Sequence, residues 1–520
     1  MLEDNTMAKD EKDGNNKDVF QLKAKVLDIH ADVDVVILNN HFAKLYAITN
    51  SSKILINING KEIAALVDTS STLIKENEIG IFKNFAEEYN ITENSLITVT
   101  LLPYTESVDL IKKKMNKEEL NEHEFKIIVD DLINNKIGLV EVSAFITALY
   151  TNGMTDEEIL GMTNAILSTG QALDLKNNRV VDKHCIGGVA GNRTTMIIVP
   201  IIASLNIYFP KTSSRSITSA SGTADTFETI ANVSFSINEM EDIVKKTYGC
   251  IVWGGSLNLA AADDRLIKIR HPLKLDPEGL LLASILAKKK SVNANYLVID
   301  IPIGTGAKIA DINQAKKLGK KFEFLGKRLN INTKSIITDG SSPVGFGVGP
   351  ALECLDVFKV LSNSKEASRY LFNKSCILAG TLLEMSNYCE KGQGFNIAKK
   401  VIESGKALKK LREIVEAQGG KPNISEKDLP TAKFSAPLLS NSKGKVLYIN
   451  NKIISQIARI AGSPNDKAAG VFLYVSAGDK IKKDQCILDI FSNSETKLTA
   501  ALKYAENNYP VITTDFIMST

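Results

Sequence analysis

The sequence predicts a multidomain α+β protein: a β-rich N-terminal domain, a helical subdomain joined to a large α/β domain, and a small β-rich α+β domain at the C-terminus. Three observations carry this. Apolar and polar residues alternate with period two between Phe20 and about Pro103. Apolar residues recur at helical spacing from Glu118 to Gln171. Between Val180 and about Gln418, short apolar runs alternate with helix-length segments and Gly-rich turns, the pattern of an α/β layer. At 520 residues with 44% hydrophobic content the chain can bury several cores, and its length suggests roughly two to four domains.

Residues 1–17 are rich in Asp, Asn and Lys and lack the apolar stretch of a signal peptide, so they read as a disordered tail, with Met7 a candidate start. In 18–105, Gln21–Asp28 and Leu96–Leu101 are expected strands of the β-rich domain, with a turn at Asn59-Gly60. In the helical subdomain, 106–179, Phe125, Ile128, Val129 and Leu132 share a helix face, and Thr155 with Glu158 forms a capping-box signature ahead of Ile159, Met162 and Ile166. The α/β domain, 180–420, has Met196–Val199, Cys250–Trp253 and Tyr296–Ile301 as its short apolar runs, and its chemistry belongs in the loops that follow the strands. Gly345–Pro350 lacks the dinucleotide fingerprint and reads as a structural turn into Ala351–Leu361. A Lys-rich helix ends at Gly419-Gly420, 421–434 is an expected linker, and 435–520 is the last small domain.

The bulk numbers exclude some classes. With 63 basic against 60 acidic residues the net charge is +3, so no global field marks a nucleic-acid binder and any anion site is local. Six scattered cysteines without a C-x-x-C pair fit a reducing compartment. No run reaches the roughly 18 apolar residues of a membrane span. A cytoplasmic protein working on small molecules, with no membrane or nucleic-acid partner, is the expectation.

Two segments carry candidate chemistry. In the first, Asp182–Thr195, three glycines let backbone N–H groups converge, Lys183 adds a point charge, and Thr194 and Thr195 offer hydroxyls at a helix start, which suits a phosphate. The second, Lys211–Thr226, crowds Ser and Thr hydroxyls around Arg215, suiting oxyanion or sugar binding, with Ser213 among the phosphate donors and Arg215 a bidentate phosphate clamp. Tight connections and a solvated loop capped by Asp225 or Ser221 are the plain alternatives. His184 reads as a positioning hydrogen-bonder, and neither it nor His271 has a metal-ligand spacing.

Lys183-His184-Cys185-Ile186-Gly187-Gly188-Val189 resembles the phosphate loop of the thymidine and pyrimidine-nucleoside phosphorylases, and Ser213–Thr226 resembles their second, glycine-rich loop. The resemblance runs from about Glu118 to Asn507 and includes Ala283–Lys289, similar to their base-binding helix. Ser213-Ser214-Arg215-Ser216-Ile217-Thr218-Ser219 resembles the AMP-cleaving branch of that family, as does the extra N-terminal domain. Ala477–Ile481 with Lys483–Ile490 is similar to the β-hammerhead of phosphorylase C-terminal domains.

The resemblance implies a nucleoside-phosphorylase or phosphoribosyltransferase type of fold and phosphorolysis of a nucleoside 5′-monophosphate. Phosphate attacks C1′ of AMP, with CMP and UMP as further candidates, and releases the base and ribose 1,5-bisphosphate. Carried over by position, Gly188, Ser214, Arg215, Ser216, Ile217, Thr218, Ser219, Thr223, Ser284 and Lys308 bind the nucleotide, and Asp276 donates the proton to the base. Lys288, one helical turn from Ser284, shares its face and can reach the base. Donation at neutral pH requires a raised carboxyl pKa, so Asp276 is expected in a partly desolvated pocket; its residue types alone read better as a helix cap before Pro277, and the resemblance is what reverses that reading. No metal or cofactor is expected, inorganic phosphate being a co-substrate, and the family implies a homodimer or larger homo-oligomer. One departure is Cys185, where the family commonly has serine; a thiol is the weaker donor. Three alternatives stay open: a pyrimidine-nucleoside phosphorylase, a magnesium-dependent phosphoribosyltransferase of the anthranilate type, and a nucleotide-binding sensor or scaffold without turnover.

Overall fold

The computed structural model describes residues 19–31, 34–50, 52–58, 60–102, 104–175, 179–216, 219–257 and 259–514. The expected tail 1–17 and the site candidates Ile217 and Thr218 lie outside them. The chain divides into two units, one formed by 1–169 with 261–283 and the other by 170–260 with 284–520.

In the first unit, six strands (Val19–Leu27, Val35–Asn39, Lys53–Ile58, Lys61–Ser70, Glu78–Phe82 and Leu96–Leu101) close into a barrel. Alternation along them turns Ile54, Ile56, Val36, Leu38, Ile79 and Ile81 inward, and all six are fully buried, because residues i and i+2 of a strand share a face. Gly60, with φ +84°, turns the hairpin between Lys53–Ile58 and Lys61–Ser70. Helices Glu106–Met115, Glu122–Ile133, Leu139–Asn152 and Asp156–Ser168 follow. The expected capping box is present: Glu158 N–H donates to Thr155 Oγ1 at 3.3 Å and Thr155 N–H to Glu158 Oε2 at 2.9 Å. Glu158 also holds the buried Lys114 ammonium at 2.6 Å, tying two helices together.

The stretch expected as one continuous α/β domain, 180–420, is interrupted. Helix Ala261–Leu273 packs among the helices of the first unit, where Arg265 donates to the carbonyl of Leu132 at 2.8 Å. No local sequence pattern reveals such a return, which depends on which helical faces match.

The second unit is built on parallel strands. Val181–Cys185 pairs with Tyr296–Ile303, which pairs with Asn332–Asp339, and Phe209–Ser213 pairs with Gly249–Trp253. A Val180–Tyr208 bridge and a 2.9 Å bond from Val181 N–H to Tyr208 O join the two sets side by side. Met196–Val199, expected as a short run within the layer, instead lies in helix Thr194–Ala203, every residue of which is buried. A continuous apolar run fits a buried helix as well as a buried strand, and here the core surrounds it on all sides. Gly347-Val348 pairs with Val471-Phe472, so the turn ahead of helix Pro350–Leu361 belongs to the C-terminal sheet. That last region adds strands Phe434–Leu439, Gly470–Leu473 and Cys486–Ser492 and helices Asn451–Ala461 and Glu495–Asn507. Among the described residues no helix is long and apolar enough to cross a membrane.

Candidate functional site

Parallel strands emit their loops at one carboxyl edge, where α/β sheets bind ligands. The first loop, Ile186–Arg193, leaves Val181–Cys185, the second, Ser214–Gly222, leaves Phe209–Ser213, and a third, Gly304–Lys308, leaves Tyr296–Ile303. The two sequence candidates therefore lie at the same edge. Gly188 sits at φ +86°, and a Cβ there would come within 2.4 Å of Lys308 N, so only glycine lets the first and third loops meet. Lys308 itself is exposed.

Arg193 joins the first loop to the second. Its guanidinium donates to Ser221 O at 2.7 Å and Thr223 Oγ1 at 3.2 Å, and Glu353 holds its Nε. Glu353 also accepts from the Thr226 hydroxyl at 2.7 Å. The pair is buried, and a charge placed there has to be paired.

The second loop is folded by a carboxylate. Asp225 accepts the N–H groups of Ser216 at 2.7 Å and Gly222 at 2.9 Å. Gly222, where a Cβ would lie 2.4 Å from Ser214 O, is the cap of helix Thr223–Phe227. Asp225 thus takes the third helical position, and neither it nor Ser221, the caps of the plain alternative, is the cap. Arg215 departs further from expectation. Its terminal nitrogens are held by Glu228 at 2.6 and 2.9 Å and by Asp225 at 3.2 Å, and the guanidinium lies 4.9 Å from the centre of the Trp253 ring. Lys467 adds a second cation to Glu228 at 2.7 Å. The side chain read as a phosphate clamp is thus engaged by two carboxylates, one of which, Asp225, also holds the loop's backbone. Ser213 Oγ, at the end of its strand, is buried without a hydrogen-bond partner among the described residues, an arrangement that suits a ligand oxygen.

Beneath the first loop lies a group of buried charges. Lys183 donates to Thr194 Oγ1 at 3.0 Å and stands 3.5 Å from Asp300, while Lys374 stands 3.2 Å from the same carboxylate oxygen. Asp300 also accepts from the Thr338 hydroxyl at 2.6 Å. Asp182 holds Lys289 at 2.7 Å and Lys211 at 3.5 Å. Burial pushes the Asp300 carboxyl upward, but Lys183 and Lys374 with the Thr338 hydroxyl outweigh it and hold it at about 2. His184 is driven well below its ordinary value by burial and then by Lys289, Lys211, Lys183 and Lys308. It is therefore a neutral hydrogen-bonding group at pH 7, in keeping with a positioning role. Thr194 and Thr195 begin the central helix and are both buried.

Asp276 belongs to the first unit. Its side chain is 37% exposed and pairs with Arg270 at 3.0 Å; an ion pair stands where a desolvated pocket was expected. Ser284, buried, and Lys288, half-buried, lie one turn apart on helix Glu278–Ser291. Asp276 falls in the first unit, and Ser284 and Lys288 fall in the second. Lys289, Lys374, Lys211, Asp300 and Arg193 were not singled out from the sequence. Their signal was faint: Lys289 sits in a Lys288–Lys290 run that reads as a solvated helix end, and its partner Asp182 is 107 residues away.

Residues 108–170 match the helical bundle domain of a glycosyl transferase family, 177–276 match its a/b domain, and 445–511 match the pyrimidine nucleoside phosphorylase C-terminal domain. The chain is similar to AMP phosphorylases from Methanosarcina mazei, 40% identical over 95% of this chain and 97% of that one, and Methanocaldococcus jannaschii, 40% identical over 94% and 97%. The protein of that name from Thermococcus kodakarensis is 40% identical over 95% of this chain and 97% of its own. Among solved structures, anthranilate phosphoribosyltransferase from Thermus thermophilus covers 60% of this chain and all of its own at a TM-score of 0.50 and 16% identity, a likeness of fold.

Proposed function

The chain belongs to the AMP phosphorylase family, and on that premise we propose that it is a pentosyltransferase that moves the ribosyl group of AMP onto inorganic phosphate, releasing adenine and ribose 1,5-bisphosphate. The observation that carries this is similarity at about 40% identity across 95% of the chain. The meeting of two anion-suited loops at one sheet edge supports it.

In this reading the first loop, with Lys183, His184, Thr194 and Thr195, and Ser213 from the second strand, holds the attacking phosphate. Gly188, Ser214, Ser216, Ser219, Thr223 and Lys308 receive the nucleotide, with Ser284 and Lys288 towards the base. As the glycosidic bond breaks, C1′ gains positive charge, and an anionic phosphate beneath it both stabilises that charge and completes the new bond. The base leaves as a neutral molecule only if it is protonated, which is the part assigned to Asp276. Arg215 supports the loop without touching phosphate. No cofactor enters the scheme. The exposed Leu139, Val140 and Tyr150 of helix Leu139–Asn152 offer a face for a second copy in the homo-oligomer we propose.

The test is base release from AMP, adenosine, UMP and uridine, each with and without phosphate, in the presence of a chelator. Phosphate-dependent release from AMP, with adenosine much poorer, is expected. Preference for nucleosides would move the assignment to a nucleoside phosphorylase, and loss of activity with chelator would favour a magnesium-dependent phosphoribosyl transfer.

A further inference from the structure

The buried group beneath the first loop is out of balance. Lys183, Lys211, Lys289 and Lys374 have side chains at most 7% exposed, and the carboxylates facing them are Asp182 and Asp300, both fully buried. Four lysines therefore share two carboxylates, so that with every lysine protonated, the state a bound dianion favours, the set carries two positive charges in excess where water does not screen them. The shortage shows at Lys211. Burial draws it down to about 7, Asp182 opposes that, and Lys289 and Lys183 push it further down. It shows again at Lys374, whose ammonium contacts Asp300 but makes no aligned hydrogen bond among the described residues. Inorganic phosphate near neutral pH is a mixture of monoanion and dianion, and the dianion carries the charge that would complete the set.

We propose that Lys374 and Asp300 are positioning residues for the attacking phosphate: Asp300 divides its charge between Lys183 and Lys374, so that neither lysine is neutralised and the group keeps the two-charge excess that a dianion fills. This rests on the reading of the first loop as the phosphate seat. It makes helix Arg369–Met385, remote in sequence from both loops, a contributor to phosphate affinity. The four lysines come from strands and helices rather than loops, so the charge is held by the packed core and does not have to be ordered when phosphate arrives.

The test measures KM for phosphate and for AMP separately in the full chain and in Lys374→Met, Lys374→Arg, and Lys374→Met combined with Asp300→Asn. Loss of one cation should raise the phosphate KM about tenfold or more, the range of a charge-assisted hydrogen bond, and leave the AMP KM within about threefold. Lys374→Arg should stay near wild type. The double variant removes one charge of each sign, restores the excess of two, and should recover most of the lost phosphate affinity. An unmoved phosphate KM in Lys374→Met, a shift in the AMP KM instead, or a double variant no better than the single one overturns the proposal. Should Lys374→Met not fold, thermal unfolding of the wild-type chain decides the matter. Phosphate should raise Tm well beyond chloride at equal ionic strength, and equal effects overturn it. A wild-type chain that releases no base with phosphate defeats the functional reading itself, an outcome distinct from all of these.

Discussion

Lys183 and Arg215 head two loops at the same sheet edge, and from sequence both read as anion holders, yet the structure gives them opposite charge environments. Lys183 shares one carboxylate with a second buried lysine, and its surroundings stay short of negative charge. Arg215 is paired with two carboxylates, Asp225 and Glu228, the second of which it shares with Lys467, so that two cations meet two carboxylates. A basic residue in a Gly- or Ser-rich loop is available to a ligand only to the extent that the fold leaves its charge uncompensated. By that measure the first loop is the better suited of the two to the anion proposed for it. The second is built to hold its own backbone, offering N–H groups and hydroxyls rather than a guanidinium.

The largest expected effect lies outside both loops and sets the scale for comparing them. Asp276→Asn should lower kcat by about 10²–10⁴-fold with little change in either KM, as loss of a proton donor does; a KM effect without a kcat effect would make Asp276 a binding residue. Next comes Lys183→Met, which removes the cation at the base of the first loop and should lower kcat/KM for phosphate by about 10²-fold, leaving discrimination between AMP and adenosine intact. Arg215→Ala should raise the KM for AMP by about tenfold through a loosened loop, with the AMP-to-adenosine preference retained. A preference that collapses in this variant would show the guanidinium on the 5′-phosphate and erase the contrast drawn above.

The contrast also has a pH signature. Glu228 is held at about 2, Arg215 being the leading cause and Lys467 the next, against burial. A depressed carboxylate adds stability that is fully present above its ordinary value of 4.5 and is lost as pH falls through about 2. Lys211 is shifted in the same direction for a different cause, burial among other cations rather than a partner of opposite charge, and at higher pH. With a folded value of about 7 against 10.5 ordinarily, the folded chain binds fewer protons than the unfolded chain between those limits. Stability tied to Lys211 therefore rises from pH 7 towards 10.5 and is flat below 7. Melting curves of wild type and Lys211→Met at pH 7 to 9 should diverge without phosphate and converge with it, since a bound dianion favours the protonated lysine. Parallel curves in both conditions would show that no anion compensates the first region.

Much of this architecture is legible in the sequence because it is locally encoded. The barrel strands announce themselves by alternation, Thr155 and Glu158 by the three-residue spacing of a capping box, and both loops by residues that only turns and ligands favour. The buried charges are not legible. Lys289 and Lys374 look like solvated helix positions, because the carboxylates that pair with them lie on strands 107 and 74 residues away, and only the parallel pairing of Cys185 with Asp300 brings those strands into register. The ion pairs of Arg215 were hidden for a related reason: Asp225 and Glu228 are visible ten and thirteen residues on, but the turn of chain that brings both carboxylates back towards it is not foreseeable from spacing alone. The return of Ala261–Leu273 to the first unit is the same kind of fact at a larger scale.

The smallest expected effect probes how finely the first loop is tuned. Cys185 sits directly across from Asp300 in the sheet and receives the Asn192 amide at 3.3 Å on its sulfur. Burial, followed by the Asp300 charge, pushes the thiol upward, so it stays protonated and is a weak donor. Cys185→Ser puts a stronger donor in the same place, next to an uncompensated cation group that already attracts the anion, and a neutral hydrogen bond of this kind contributes about 0.5–1 kcal/mol net. The phosphate KM should fall by about two- to fivefold, with the AMP KM unmoved. A rise would mean that the Asn192–Cys185 contact shapes the loop, and that the thiol is there for packing rather than as a poor substitute for a hydroxyl.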